Sequence, residues 1–253
     1  MSDWTQNDEL WETARRSMFP ESSFAAAPGE VAAVLRLIGA SDALDVLDLP
    51  CGPGRHAIAF AATGHRVTGV DRTRSYLDEA SRRRDDRARR MGRPLALELV
   101  EADMREFLRP ASYDLAVNLF TSIGYFRDPE EDRRVLRNFR TNLRDGGTLV
   151  IDTLGREVLA AKFEPRVWSR LDDGTLLLQE RAIRDDWTWI EVMWKFVRDG
   201  EERTFDFSHR IHGVVDLRRE LLDAGFSRVD AFGGFDGRPY DNHAHRLVLT
   251  AHA

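Results

Sequence analysis

The chain has 253 residues, 32% charged and 42% hydrophobic, with 37 basic and 43 acidic side chains for a net charge of −6. That length suits one large domain, or one domain with a sizeable insertion, and the mix is that of a folded globular protein. A net acidic chain has no general attraction for a polyanion, because non-specific nucleic-acid binding rests on neutralised phosphates, so a sequence-indifferent DNA or RNA binder is disfavoured.

Other counts narrow the class further. Only Lys162 and Lys195 are lysines among the basic residues, an arginine skew that codon bias accounts for. Cys51 is the single cysteine, so neither an intrachain disulfide nor a multi-cysteine zinc site can form. This fits a reducing compartment, and a cytoplasmic location is expected. No apolar run nears the roughly 18 residues of a membrane span. The acidic, polar start of the chain lacks the basic and apolar pattern of a signal peptide.

Apolar residues near a 3.6 spacing predict helices over Asp8–Met18 and Gly29–Ile38, with a loop between Pro20 and Pro28. Strands and helices then alternate. Strands are predicted over Ala43–Leu49, His65–Asp71, Leu95–Val100, Tyr113–Phe120 and Thr148–Leu154, with helices over Arg55–Thr63, Ser75–Met91 and Pro129–Leu143. Near-continuous apolar strands alternating with helices imply a parallel sheet covered on both faces. After Gly155 the period becomes two. Turn signals at Asp173-Gly174, Asp185-Asp186 and Asp199-Gly200 separate Thr175–Arg184, Trp187–Arg198 and Glu202–His212, an antiparallel meander. A helix over Asp216–Ala224 and strands over Ser227–Phe232 and Arg246–His252 close the chain. The expected organisation is a helical cap over residues 1–40, an α/β core over 41–155 and 214–253, and an antiparallel β insertion over 156–213.

The strongest local signal is Leu49-Pro50-Cys51-Gly52-Pro53-Gly54-Arg55-His56, between the first strand and its helix. Glycines there let backbone approach a ligand, and the helix N-terminus offers unpaired N–H groups. Asp48 stands just ahead of the turn. Asp71 ends the second strand, where an acid can accept hydrogen bonds from ribose hydroxyls. Gly52-x-Gly54-x-x-Ala57 followed by Asp71 also satisfies a dinucleotide fingerprint, so the turn alone leaves an NAD-type oxidoreductase open.

Further motifs decide between these readings. Glu101-Ala102-Asp103-Met104-Arg105 follows the third strand, and Asn118-Leu119-Phe120-Thr121-Ser122-Ile123-Gly124-Tyr125-Phe126 ends the fourth. With the glycine turn and Phe235–Tyr240, they resemble the successive motifs of class I S-adenosylmethionine-dependent methyltransferases. The pattern is similar to a bacterial small-molecule family related to aminosugar N-methyltransferases. That resemblance implies a Rossmann-like α/β sheet in the order 3-2-1-4-5-7-6 with strand 7 antiparallel. It also implies S-adenosylmethionine as cofactor and S-adenosylhomocysteine as product. On the matching positions, Gly52 and Gly54 would pack on the methionine portion, Asp71 would bind ribose and Asp103 with Met104 would bind adenine. Asn118 and Leu119 would border the methionine portion, with Asp48 beside the loop.

Methyl transfer asks the protein mainly to align acceptor and methyl in a dry site, with a base where the acceptor arrives protonated. Three candidates follow. Period two puts Glu180 on one face with Leu176, Leu178 and Ala182, and His209 with Phe205, Phe207 and Ile211. Tyr125 follows the fourth strand, on the expected acceptor side. Trp11, Phe19 and Phe24 either form a lid or cover the core. No metal site is expected: His209 and His212 are three apart, an odd strand spacing that puts them on opposite faces.

The resulting expectation is an enzyme that methylates nitrogen or oxygen of a small-molecule acceptor in natural-product or sugar metabolism. Neither nucleic acid nor membrane is an expected partner, and the chain is expected as a monomer or homodimer. Open alternatives are an RNA methyltransferase, an NAD-type oxidoreductase and a non-transfer reaction such as cyclisation on the same fold. Nine arginines in Arg72–Arg93 support the RNA alternative, but the interleaved Asp78, Glu79, Asp85 and Asp86 make that stretch an ordinary solvated helix face.

Overall fold

The computed structural model describes residues 4–253. A single turn at Trp4–Gln6 leads into α1 (Asp8–Met18) and α2 (Glu21–Leu37). There follow β1 (Asp45–Asp48), α3 (Arg55–Ala62), β2 (Arg66–Asp71), α4 (Arg74–Met91), β3 (Leu97–Glu101), β4 (Tyr113–Asn118), α5 (Pro129–Asn142) and β5 (Leu143–Thr153). Then come α6 (Arg156–Ala161), β6 (Arg166–Arg170), β7 (Leu176–Arg184), β8 (Trp189–Arg198) and β9 (Glu201–Arg210). The chain closes with α7 (Val214–Asp223), β10 (Arg228–Phe232) and β11 (Leu247–His252).

Seven strands form the main sheet in the order β3-β2-β1-β4-β5-β11-β10, with β11 antiparallel to both neighbours. This is the predicted 3-2-1-4-5-7-6 topology. Alternation along each strand builds two cores. Leu47, Ala116, Leu149, Ile151, Leu247 and Leu249 face α5 and α7, while Val46, Leu115, Val117, Val150 and Val248 face α2 and α3. Both faces are buried, so the strands read as apolar runs rather than as strict alternation.

Two elements differ from expectation near this sheet. The predicted loop at 20–28 is helix: α2 starts directly after Pro20, runs through Pro28 and buries Ala27, Val31 and Val34. The alanines at 25–27 favour helix strongly, and the buried face outweighs the bond that Pro28 cannot make. Strand β5 begins at Leu143 rather than Thr148. Asp145-Gly146-Gly147 does not end the pairing but forms an irregularity, with Tyr113 opposite Leu143 and Leu115 opposite Thr148.

The second sheet has four antiparallel strands, β6-β7-β8-β9. Its turns fall at the predicted sites, with left-handed residues at Gly174, Asp185, Asp186, Asp199 and Gly200. Strand β6 and helix α6 escape a periodicity reading because each is at most six residues long. The inward face carries Leu177, Trp194, Phe196, Phe205 and Phe207, and α1 covers it with Leu10 and Ala14. Thus α1 ties the second sheet to the first.

Candidate active site

The β1–α3 turn carries the first part of the site. The Leu49–Pro50 peptide is cis, and Gly52 and Gly54 have φ of 53° and 82°. The Gly52 N–H donates to Asp71 Oδ2 at 2.8 Å, and the Thr73 N–H donates to Asp71 Oδ1 at 2.8 Å. An ionised carboxylate has about four lone-pair sites, so each oxygen keeps capacity for a ligand hydroxyl. Burial raises the Asp71 carboxyl above its ordinary value, and the Thr73 and Gly52 N–H groups oppose that rise.

A cavity of ≈ 240 Å³ opens above this turn, along the carboxyl ends of the parallel strands. Gly52, Asp71, Asp103, Met104, Leu119 and Tyr125 line it, so the structure brings together six of the eleven residues singled out from sequence. Asp103 is held by its own turn. Arg105 donates to it through the backbone N–H at 2.8 Å, Nε at 3.0 Å and Nη2 at 2.7 Å. Burial favours its neutral form, but the Arg105 contacts win and hold its carboxyl below the usual range.

Three expected cofactor residues lie behind the lining. Asp48 is 2% exposed, and its Oδ2 has no hydrogen-bond partner. Burial raises its carboxyl to about 7, against the pull of the Arg55 charge and the Ala57 N–H. Gly54 serves α4: a Cβ there would stand 2.8 Å from Ala80 Cβ. The Asn118 side chain donates to Leu49 O at 3.0 Å and Ser122 O at 3.4 Å, joining the glycine turn to the loop after β4.

The catalytic expectations need correction at two positions. Glu180 faces outward, its side chain 53% exposed and paired with Arg166 at 3.2 Å. Leu176, Leu177 and Leu178 are consecutive, so sequence period alone cannot choose the buried parity of β7. Leu178, 39% exposed beside Trp168, shares the outer face. His209 does share its face with Phe205 and Phe207, but it lines neither cavity. Its Nδ1 bonds Arg210 O at 3.0 Å, and burial lowers its pKa.

Two of the three aromatic lid candidates reach the cavity, and other lining residues had no role assigned from sequence. Trp11 and Phe19 do wall the cavity, whereas Phe24 lies under the Arg83 guanidinium, 3.7 Å from ring centroid to Cζ. The Trp11 carbonyl accepts the Tyr76 hydroxyl at 2.7 Å, and the Phe19 ring lies 3.2 Å from where a Gly52 Cβ would be. Arg55 and His56 line the methionine end predicted for the cavity, and both reach Glu30 of α2, at 3.1 and 2.8 Å. Phe120 and Thr121 have φ of 62° each. Asp152 holds that exit by accepting the Phe120 N–H at 3.0 Å, with the Arg55 guanidinium 3.5 Å above the Phe120 ring.

A second cavity, ≈ 500 Å³, lies between the loop after β4 and the second sheet. It is lined by the aromatic side chains of Trp4, Tyr125, Phe126 and Trp189, the carboxylates Asp128, Glu131 and Glu191, and by Arg105, Arg127 and Ser208. Tyr125 and Phe126 belong to both cavities. The Tyr125 ring meets Trp4 edge-on at 5.0 Å.

Residues 46–147 match the methyltransferase domain family. That stretch of the chain is a methyltransferase domain. Among curated relatives it is 32% identical over 111 residues to the cypemycin N-terminal methyltransferase of a Streptomyces species, covering 44% of this chain and 42% of that protein. Over 111 residues it is 27% identical to the dTDP-3-amino-3,4,6-trideoxy-alpha-D-glucopyranose N,N-dimethyltransferase of Streptomyces venezuelae, covering 44% and 43%. The matched segment therefore spans less than half the length of each of these relatives. In fold, it superimposes on the CcbJ methyltransferase of Streptomyces caelestis with a TM-score of 0.75 at 21% identity, covering 89% and 90% of the two chains.

The site's chemistry fits S-adenosylmethionine, the cofactor of this family. The Asp71 oxygens suit a diol, the Asp103 carboxylate suits an amino group on an adenine edge, and the glycine turn admits close backbone approach. Two buried acids, Asp48 and Asp71, sit at the turn, a field that suits a cationic ligand.

Proposed function

We propose that this methyltransferase acts on nitrogen of a small-molecule amine seated in the second cavity, within natural-product or sugar metabolism. The observation that carries the reading is the shared wall: Tyr125 and Phe126 border both cavities. An acceptor there would lie against the same side chains as the cofactor. One curated relative is named an N,N-dimethyltransferase and another an N-terminal methyltransferase, which favours nitrogen over oxygen.

The cofactor, when bound, supplies a methyl group activated on a sulfonium. The chain's own residues bind, orient and dry the site. Asp71 would accept the ribose hydroxyls through lone pairs left free by Gly52 and Thr73. Asp103, fixed by Arg105, would take the adenine edge beside Met104, with Leu119 at the methionine portion. Trp11 and Phe19 exclude water from the cofactor cavity. Burial raises the Tyr125 phenol to about 12, so its hydroxyl keeps its proton at neutral pH and acts as a donor or packing surface rather than as a base. The aromatic rings and carboxylates of the second cavity suit an ammonium-bearing guest. An ammonium guest would first release its proton to solvent or to a lining carboxylate, and the neutral amine would then attack through its lone pair, whereas an alcohol needs a base at hydroxyl distance.

The test is methyl transfer from radiolabelled S-adenosylmethionine to a panel of paired amines and alcohols, aminosugars and peptide N-termini included. Transfer to amines alone is expected. Transfer to alcohols alone would overturn the nitrogen assignment, and labelling of RNA in place of both would overturn the small-molecule one.

A further inference from the structure

We propose that Asp132, which lines neither cavity, is a positioning residue that fixes Tyr125 through the backbone of Gly124. The proposal rests on the reading of Tyr125 as the wall shared by cofactor and acceptor.

Asp132 lies in the first turn of α5 and is 1% exposed. A carboxylate so buried is costly unless something uses it. Helix capping does not: Asp128 already caps α5, accepting the Glu130 N–H at 2.9 Å. Asp132 Oδ1 instead accepts the Gly124 N–H at 3.1 Å. On the other side, the Gly124 carbonyl accepts the Arg210 N–H at 2.7 Å. Gly124 is therefore gripped at both ends, by α5 of the main sheet and by β9 of the second, one residue before Tyr125.

The grip has no slack. Gly124 has φ of 94°, and a Cβ there would stand 2.7 Å from Arg210 O and 3.2 Å from His212 Cε1. Asp132 Oδ2 makes no hydrogen bond; Arg210 Nε, at 3.6 Å, is near enough for attraction and too far for a bond. His212 and Glu220, 3.5 Å apart, complete the buried polar cluster around it. A hydrocarbon of similar size would fill this volume at less cost in desolvation. The specific service of the carboxylate is the bond to the loop.

The chain contains four tyrosines, so uniform 3-fluorotyrosine labelling of the full protein gives four fluorine resonances, with Tyr125 assigned by Y125F. D132A is expected to shift or broaden the Tyr125 resonance while those of Tyr76, Tyr113 and Tyr240 stay in place. D132N, which keeps an oxygen for the Gly124 N–H, is expected to restore it. In calorimetry with S-adenosylhomocysteine, D132A is expected to weaken binding roughly tenfold, the scale of one hydrogen bond to a charged group, and to add nothing in a Y125A background. If D132A does not fold, D132L is read the same way, because it fills the volume and offers no acceptor to the Gly124 N–H. An unmoved Tyr125 resonance, or equal weakening in both backgrounds, would overturn the proposal. Failure of the wild-type protein to bind S-adenosylhomocysteine would instead count against the cofactor site, and the resonances would still decide the role of Asp132.

Discussion

Asp71 Oδ2 accepts the Gly52 N–H at 2.8 Å, so the acid that ends β2 also shapes the glycine turn that follows β1. One carboxylate both orders the loop and lines the first cavity. D71A should therefore lower affinity for S-adenosylhomocysteine by about 100-fold or more, as two hydrogen bonds to a charged group imply. It should also lower thermal stability, because Gly52 and Thr73 lose their acceptor. Calorimetry and a melting curve on the same sample check both; an unchanged affinity would remove Asp71 from the ribose role.

Asp48 gives a pH dependence with a definite sign. Its carboxyl is raised from 3.8 to about 7 in the folded protein by burial. The folded state then holds a proton that the unfolded state has released, so stability falls as pH rises from about 4 to about 7. The full span corresponds to about 4 kcal/mol at most. D48N, which cannot ionise, should lose this component, and its stability profile over that range should be flatter by chemical denaturation. Parallel profiles for the two proteins would refute the assignment.

Gly54 is held by packing as well as by backbone. G54A meets φ of 82° and an Ala80 Cβ only 2.8 Å away. A cost of about 1–3 kcal/mol is expected for left-handed backbone on a non-glycine residue, with more for the contact. The double variant G54A/A80G should recover the contact part and keep the backbone part. Melting temperatures of the three proteins separate the two.

Glu180 should be dispensable for turnover. Its contact with Arg166 joins two exposed side chains, the class of ion pair that contributes about 0–1 kcal/mol. E180Q should match the wild-type rate within about twofold and melt within a few degrees of it. A large loss of methyl transfer with the acceptor found in the panel would restore Glu180 as a base.

The parallel core was legible because its cues are local: apolar runs of strand length, a glycine turn, and an acid at the ends of β1, β2 and β3. Topology followed from the resemblance those motifs carry. The second sheet was legible in its turns and less so in its sidedness. Leu176, Leu177 and Leu178 satisfy either parity, and only the docking of Leu10 and Ala14 selects Leu177 as the buried one. Arg55 and Tyr76 escaped notice for a related reason. Their contacts with the site are set by how α2 and α1 pack on the sheet, which no local period records. Asp132 reads as one acid among Glu130, Glu131 and Asp132 in a helix first turn, and burial alone distinguishes it.

The bond from the Arg210 N–H to the Gly124 carbonyl joins the two sheets main chain to main chain. Such a joint is indifferent to the side chain that position 210 carries, provided it is not proline. The wall of the second cavity can then be rewritten at Ser208, Glu191 or Trp189 while its alignment with the cofactor side stays as it is. On the proposed reading of the second cavity, acceptor preference and methyl-donor alignment are separable design variables, and grafting a different wall should begin by keeping that one amide.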